Sequence, residues 1–153
     1  MVYDHDLAEV LDLHRLGWYS LWLDSAGYDW SHSNSAAEDP QDGGIVISSR
    51  HQDAVFELDP ATVALRWLLA NPDNWSPELE APRLRPIGLP FEWPYHQHAA
   101  EPGEDGRLLL SDNGNTRTSP WTGEIDLPNS ELWSRVVEYR VDEAARTVEQ
   151  LWE

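Results

Sequence analysis

The residues of this chain that could do chemistry are imidazoles and guanidiniums set in an acidic background. His32 lies in Asp29-Trp30-Ser31-His32-Ser33-Asn34-Ser35, and His98 lies in Tyr95-His96-Gln97-His98-Ala99-Ala100. Arg50 ends the run Ile47-Ser48-Ser49-Arg50. A neutral imidazole near pH 7 is a competent nucleophile or base and suits proton transfer to a phenolate. A guanidinium supplies fixed, planar donors that match tetrahedral oxyanions. Two imidazoles and one guanidinium converging on a single hollow would therefore make a local anion site. The background makes such a site conspicuous: 28 Asp and Glu stand against 10 Lys and Arg, for a formal charge of −18. All of those bases are Arg. Nucleic acid and an anionic membrane surface would both be repelled, so neither is expected as a partner. The absence of Cys excludes disulfides, thiolate metal sites and cysteine catalysis. The acidity and the lack of Lys also fit a high-salt source or GC-rich coding, neither of which bears on the chemistry. No apolar run is long enough to span a bilayer as a helix, and no signal segment is visible.

The elements that must position these residues read as all-β. Gly44 to Ser49, Ala54 to Asp59 and Ala64 to Leu69 are short β-rich runs separated by turn residues, with Pro60-Ala61-Thr62 joining the last two. Prolines break the stretch 71–94, which is expected to lack a regular ladder and to form a long ordered loop. The pattern resumes with Arg107 to Ser111, followed by the polar corner Asp112-Asn113-Gly114-Asn115. Ser134 to Asp142 and Thr147 to Trp152 then form an alternating hairpin.

The two halves repeat one another. Each has a His-centred segment, a Gly-led strand, a polar corner, and a hairpin whose first strand ends in an aliphatic-Asp pair and whose second carries a Trp. Those pairs are Leu58-Asp59 with Trp67, and Val141-Asp142 with Trp152. Without its loops the unit is about 40–45 residues of four short strands, the size of a β-propeller blade. The expected organisation is 1–28 as the outer strands and connection of a preceding blade, with hairpin strands at Val2 to Asp6 and Val10 to Leu13 and a short helix or loop from Leu16 to Asp24. A blade with His32 and Arg50 follows at 29–70, then the inserted loop 71–94, then a blade with His98 at 95–153. The innermost strands would turn His32 and His98 toward one axial funnel. His51 follows Arg50 on an alternating strand and is expected to face away.

Asp29 through Ser35, Ile47-Ser48-Ser49-Arg50-His51-Gln52, Gln97-His98-Ala99, Asp112-Asn113-Gly114-Asn115 and the stretch from Tyr139 to Glu153 together resemble the bacterial-type arylsulfate sulfotransferase family. The resemblance runs from about Trp30 to the last residue, with a weaker match upstream. It implies a six-bladed propeller and sulfuryl transfer from a phenolic sulfate ester to a second phenol, through a sulfohistidine and without a phosphoadenosine donor. Carried over by motif, His98 is the nucleophile, Arg50 neutralises the sulfuryl oxygens, and His32 bonds the sulfuryl group or assists the departing phenolate. Trp93 and Tyr95 are the candidates to stack on the phenol, with Asn34 and Asn113 on the substrate side. No cofactor or metal is implied. The family has a further active-site histidine on an earlier blade, and commonly Thr where Ala99 stands. Its members continue into more blades, so the chain is expected to be an incomplete sulfotransferase, self-associating or completed by parent-chain blades, in an exported or periplasmic setting.

Two rival readings remain open. One is a metal site, with His96 and His98 on one strand face and His32 as third ligand. The other is a non-catalytic interaction module derived from a propeller.

Overall fold

Strands buried on both faces are apolar at successive positions, and Val46, Ile47, Val55, Phe56, Leu68 and Leu69 follow that rule. The computed structural model describes residues 6–20, 27–125 and 127–153. Within them, β1 (Ser33–Glu38), β2 (Ile45–Ser49), β3 (Ala54–Leu58) and β4 (Leu65–Ala70) form one sheet in the order β1-β2-β3-β4. Every neighbouring pair in it is antiparallel. A second sheet contains β5 (Arg85–Ile87), β6 (His98–Pro102), β7 (Arg107–Asp112), β8 (Arg135–Asp142) and β9 (Thr147–Trp152), in the order β5-β9-β8-β7-β6. The described residues are all-β apart from the single α-turn Pro77–Glu80 and short 3-10 turns.

The two sheets pack on a shared core. Val46, Val55, Trp67 and Leu69 of the first meet Ala100, Leu108, Leu110, Val137, Tyr139 and Val148 of the second. The opposite face of the first sheet, with Ile47, Phe56, Leu58 and Leu68, is covered by Leu11, Trp75 and Leu79. Among the described residues that face keeps an open hollow of about 520 Å³ beside Leu7, Ala36, Ile45 and Val63. The second sheet buries one face only, and Val136 and Trp152 on its other side are half exposed.

Hairpin turns are closed by the aspartates that end β-runs. Asp59 Oδ1 accepts the backbone N–H groups of Ala61 and Thr62 at 2.9 and 3.0 Å. Asp142 Oδ1 accepts that of Ala145 at 2.8 Å. Such Asx turns satisfy amide donors that the hairpin leaves unpaired.

The first strands β1 and β6 lie beside each other, stitched by side chains. Asn34 Nδ2 donates to the Gln97 carbonyl at 2.8 Å, and Ser35 Oγ accepts from the Ala100 amide at 3.0 Å. Gln97 is wholly buried, with Nε2 at 2.8 Å from the Ala54 carbonyl, 3.1 Å from Ser48 Oγ and 3.2 Å from the Ser49 carbonyl.

Two expectations are corrected. The Pro-rich stretch does form a ladder: Arg85, Pro86 and Ile87 pair in parallel with Thr147, Val148 and Glu149. Pro86 is tolerated because β5 is an edge strand, where a missing N–H breaks no second ladder. Val10 to Leu13 is not a strand; it follows a 3-10 turn at Leu7–Glu9, and Leu11 packs as a plug on the first sheet. The other strand expected there, at Val2 to Asp6, lies outside the described residues except for Asp6, as does the part of the expected helix or loop from 21 to 24.

Candidate functional site

The residues that matter sit where the ends of β2 and β7 approach the starts of β1 and β6. After β2 the chain makes a 3-10 turn, Arg50–Gln52, and leaves it through Asp53 at φ 47°. This turn is held to the segment before β1. The Arg50 amide donates to the His32 carbonyl at 3.3 Å, the His51 amide to the Ser31 carbonyl at 3.1 Å, and Ser49 Oγ to the same carbonyl at 2.8 Å. From the other side, Gln52 is bonded by the buried Arg15, whose guanidinium is sandwiched between the Trp75 and Trp121 rings at 3.9 and 3.8 Å. Gly17 passes so close that a Cβ there would collide with the His51 carbonyl. The corner is therefore rigidly seated before any side chain is considered.

Asp29 organises two imidazoles. His32 Nδ1 lies 2.6 Å from Asp29 Oδ2, and His51 Nδ1 lies 2.6 Å from the Asp29 carbonyl oxygen. Both acceptors lack protons to give, so each ring donates from Nδ1. The rings stack, with centroids 4.6 Å apart and planes inclined by 29°. Arg50 Nη1 donates to His51 Nε2 at 2.7 Å, and Nη2 donates to Asn115 Oδ1 at 3.3 Å. His51 is thus fixed as one neutral tautomer, and burial pushes its pKa down in the same sense. Burial works against ionised Asp29, but the hydrogen bond from His32 and the proximity of the two imidazoles outweigh it and hold the carboxyl below its ordinary value.

Arg50 is in no ion pair among the described residues. Its partners are the neutral His51 and Asn115. Arg15, Arg85 and Arg146 likewise make no ion pair among the described residues, and of these guanidiniums Arg50 is the one bonded to the imidazole cluster.

His98 opens β6 across the gap. Its Nδ1 donates to the His96 carbonyl at 3.2 Å, which makes Nε2 the lone-pair nitrogen. Burial lowers its pKa, and so do the nearby charges of Arg50 and His32, against the hydrogen bonds to His96 and Asn113. The shift favours the neutral ring, with Nε2 as its unprotonated nitrogen. Both histidines sit at irregular strand starts. His32 has φ 45° and Ala99 φ 51°, and the ladders shift register between Ser33 and Ser35 and between His98 and Glu101. Left-handed backbone at non-glycine residues carries strain that concentrates at working sites.

His32, Arg50, His98 and Asn113 are thus gathered at one place, and Asn34 lies just beneath, bonded to the Gln97 carbonyl. Trp93 and Tyr95 point elsewhere. Trp93 packs edge-on to Phe91 at 4.9 Å and against the shared core. Tyr95 turns its hydroxyl toward Asn71, and burial raises its pKa to about 12. The aromatic ring at the site is Tyr19, half exposed, with the Arg50 guanidinium 5.8 Å from its centroid. His51 also departs from expectation. A 3-10 turn advances each side chain by about 120° instead of the 180° of a strand, so His51 stays beside Arg50. The pattern around Asp29, Tyr19 and Asn115 held no periodic signal that could have singled them out.

Metal-binding geometry is weaker than anion-binding geometry here. His96 does not share a face with His98. It is wholly buried ahead of β6, its Nε2 donates to the Trp18 carbonyl at 3.1 Å, and its Nδ1 faces Thr116 Oγ1 at 3.4 Å. Asp29, His32 and His51 do offer ligand atoms within 4.8 Å of one another. Ligation by His51 would sacrifice its bond to Asp29 or its bond from Arg50, and would set a dication against the guanidinium. A second trio, Asp39, Asp42 and Glu57, is closed by Arg66, 2.7 Å from Asp42 and 3.0 Å from Glu57.

The family model for arylsulfotransferase (ASST) matches residues 1–153. This chain belongs to the arylsulfotransferase family. An arylsulfate sulfotransferase AssT of Lelliottia amnigena is 34% identical over 141 residues, covering 82% of this chain and 23% of that protein. The arylsulfate sulfotransferase AssT of Escherichia coli O6:H1 is 35% identical over 143 residues, covering 83% of this chain and 23% of that protein. The chain therefore spans about a quarter of the length of these curated relatives.

Proposed function

We propose that this chain carries part of the sulfuryl-transfer site of an aryl sulfotransferase, with its two sheets as neighbouring blades of a β-propeller. Residues 29–70 and 95–153 would be the blades, 71–94 the insert between them, and 1–28 a connection from a further blade. The hollow on the outer face of the first sheet supports this reading, because a blade without its neighbour presents an apolar face. Donors would be phenolic sulfate esters and acceptors phenols.

The carrying observation is Arg50, cationic and held only by neutral acceptors. An oxyanion is the natural counter-charge for such a group. In the first half-reaction His98 Nε2 attacks sulfur, the N–S bond forms, and the S–O bond to the aryl group breaks with its electron pair leaving on the phenolate. Arg50 holds the sulfuryl oxygens as charge redistributes. In the second, the oxygen of an acceptor phenol attacks sulfur and the N–S bond breaks. Splitting the transfer replaces one difficult step by two easier ones.

The test is to incubate the chain with p-nitrophenyl sulfate and follow p-nitrophenolate release and intact mass. The expected result is one acid-labile sulfuryl group on His98, absent from His98→Ala. An adduct that persists in that variant would overturn the nucleophile assignment, and absence of any release by the wild-type chain would overturn the activity of this chain.

A further inference from the structure

We propose that Asp29 is a positioning residue that holds His32 protonated on Nδ1, so that His32 Nε2 carries the proton exchanged with the phenol oxygen. The purpose of that proton rests on the sulfuryl-transfer reading above; the tautomer does not.

Four observations converge. The Asp29 Oδ2 to His32 Nδ1 distance of 2.6 Å is that of a charge-assisted hydrogen bond. No hydrogen bond among the described residues reaches His32 Nε2, and the ring is 45% exposed, on the open side of the cluster. The backbone at His32 takes φ 45°, held by the bonds from Arg50 and His51 to the 31–32 carbonyls, and this local twist accompanies the carboxylate contact. Asp29 grips the second ring through a different atom, its carbonyl oxygen at 2.6 Å, while its Oδ2 lies 2.6 Å from His32 Nδ1 and 3.8 Å from His51 Nδ1.

The charges around His32 explain why a carboxylate is needed. His51 stacks on it, Arg50 lies next to His51, and the His98 pKa responds to both Arg50 and His32. Asp29 is the anion in contact with the ring, and against burial the hydrogen bond from His32 holds its own carboxyl below its ordinary value. The proton inventory then closes. When the donor ester is cleaved, imidazolium His32 gives the Nε2 proton to the departing phenolate oxygen, and phenol leaves with His32 neutral. When the acceptor phenol attacks, its hydroxyl proton returns to Nε2, and the enzyme is restored. Asp29 never takes the proton; it fixes the tautomer and stabilises the charged ring, as carboxylates paired with catalytic histidines do.

The experiment compares wild type, Asp29→Asn and Asp29→Glu with p-nitrophenyl sulfate and phenyl sulfate. The first ester releases a phenolate that needs no proton; the second releases a basic one. Asp29→Asn is expected to lose little rate with p-nitrophenyl sulfate and about 100-fold with phenyl sulfate. Asp29→Glu should recover part of that loss. Equal losses with both esters would overturn the proposal, because a merely structural role ignores leaving-group basicity. Nitrogen-15 NMR of the imidazoles gives a readout that needs no turnover. Wild-type His32 should be Nδ1-protonated and Asp29→Asn should shift it toward Nε2, with the His51 Nδ1–H signal retained as proof that the backbone arm is intact. A wild-type His32 that is neutral and protonated on Nε2, with no proton on Nδ1, would overturn the proposal. Failure of the wild-type chain to release phenol from either ester would instead count against the function proposed above, and the tautomer would still decide the role of Asp29.

Discussion

After β2 the chain turns at once through Arg50–Gln52; after β7 it takes the long excursion 113–134 before β8. Each corner buries an aspartate, and the two hold consecutive amides of the segment that delivers His98. Asp53 Oδ1 accepts the His96 N–H at 2.7 Å, and Asp112 Oδ1 accepts the Tyr95 N–H at 3.0 Å. There the likeness ends. Asp112 also binds Arg117 at 3.1 Å and Arg135 at 2.8 Å. Asp53 has no arginine within ion-pair distance, its Oδ2 is unpartnered, and burial pushes its carboxyl pKa up. The second corner spends two guanidiniums neutralising a carboxylate. The first leaves its guanidinium, Arg50, uncommitted and its aspartate tending toward the neutral acid. Arg117 and Arg135 brace their corner through a carboxylate, whereas Arg50 meets only an imidazole and an amide in its own.

Three changes would break or sharpen that contrast. Asp112→Ala should have the largest effect. It takes from two largely buried guanidiniums the carboxylate they share, leaving Arg117 with Glu92 and Arg135 with Glu92 and Glu153, and it removes the acceptor of the Tyr95 amide, so a loss of about 3 kcal/mol is expected in urea unfolding. A loss below about 1 kcal/mol would show that this corner is not the braced one.

His51→Phe comes next. It removes the acceptor that aims Arg50, so turnover of p-nitrophenyl and phenyl sulfates should fall alike, by about 10-fold or more. This differs from the leaving-group dependence expected of Asp29→Asn. It should also alter the pH dependence of stability. The pKa of folded His51 lies below the 6.5 of the unfolded chain, so its contribution is whole above pH 6.5. Below that value the unfolded state takes the proton first, and stability declines as pH falls toward the folded pKa. Urea unfolding at pH 7.5 and pH 5.5 should show a shallower decline in His51→Phe than in wild type.

Asp53→Asn should have the smallest effect, under about 1 kcal/mol at pH 7, because an amide oxygen can still accept the His96 amide and burial already disfavours the carboxylate. A large loss would mean that Asp53 is ionised and that the two corners are less different than their contacts indicate.

Much of the scaffold was legible in the residues. Thr147 to Trp152 was read with its observed bounds, and β2, β3 and β8 within about a residue, because β-branched runs between turn residues leave little choice. The aliphatic-Asp pairs marked both hairpin turns, since an Asx turn is a local device needing only the next few amides. The ladder at Arg85–Ile87 was not legible, because its partner β9 lies some 60 positions on and Pro86 argues against any strand. In the candidate site, His32, Arg50, His98 and Asn113 were proposed from motif and resemblance, and the structure sets them near one another. Trp93 packs instead on the core and Tyr95 turns toward Asn71, because an aromatic near a histidine in sequence can turn either to the core or to the solvent, and packing decides which.

By itself the sequence determined the strands, their turns, and a chemical repertoire of imidazole and guanidinium without thiol or lysine. Those are properties of residue types and of neighbours along the chain. Only the tertiary structure decided which guanidiniums stand apart from the carboxylates and which nitrogen donates in His32, His51 and His98. In a chain with nearly three acids for every base, ion pairing depends on distances of a few ångströms between segments remote in sequence, and a hydrogen bond to a distant carbonyl fixes a tautomer.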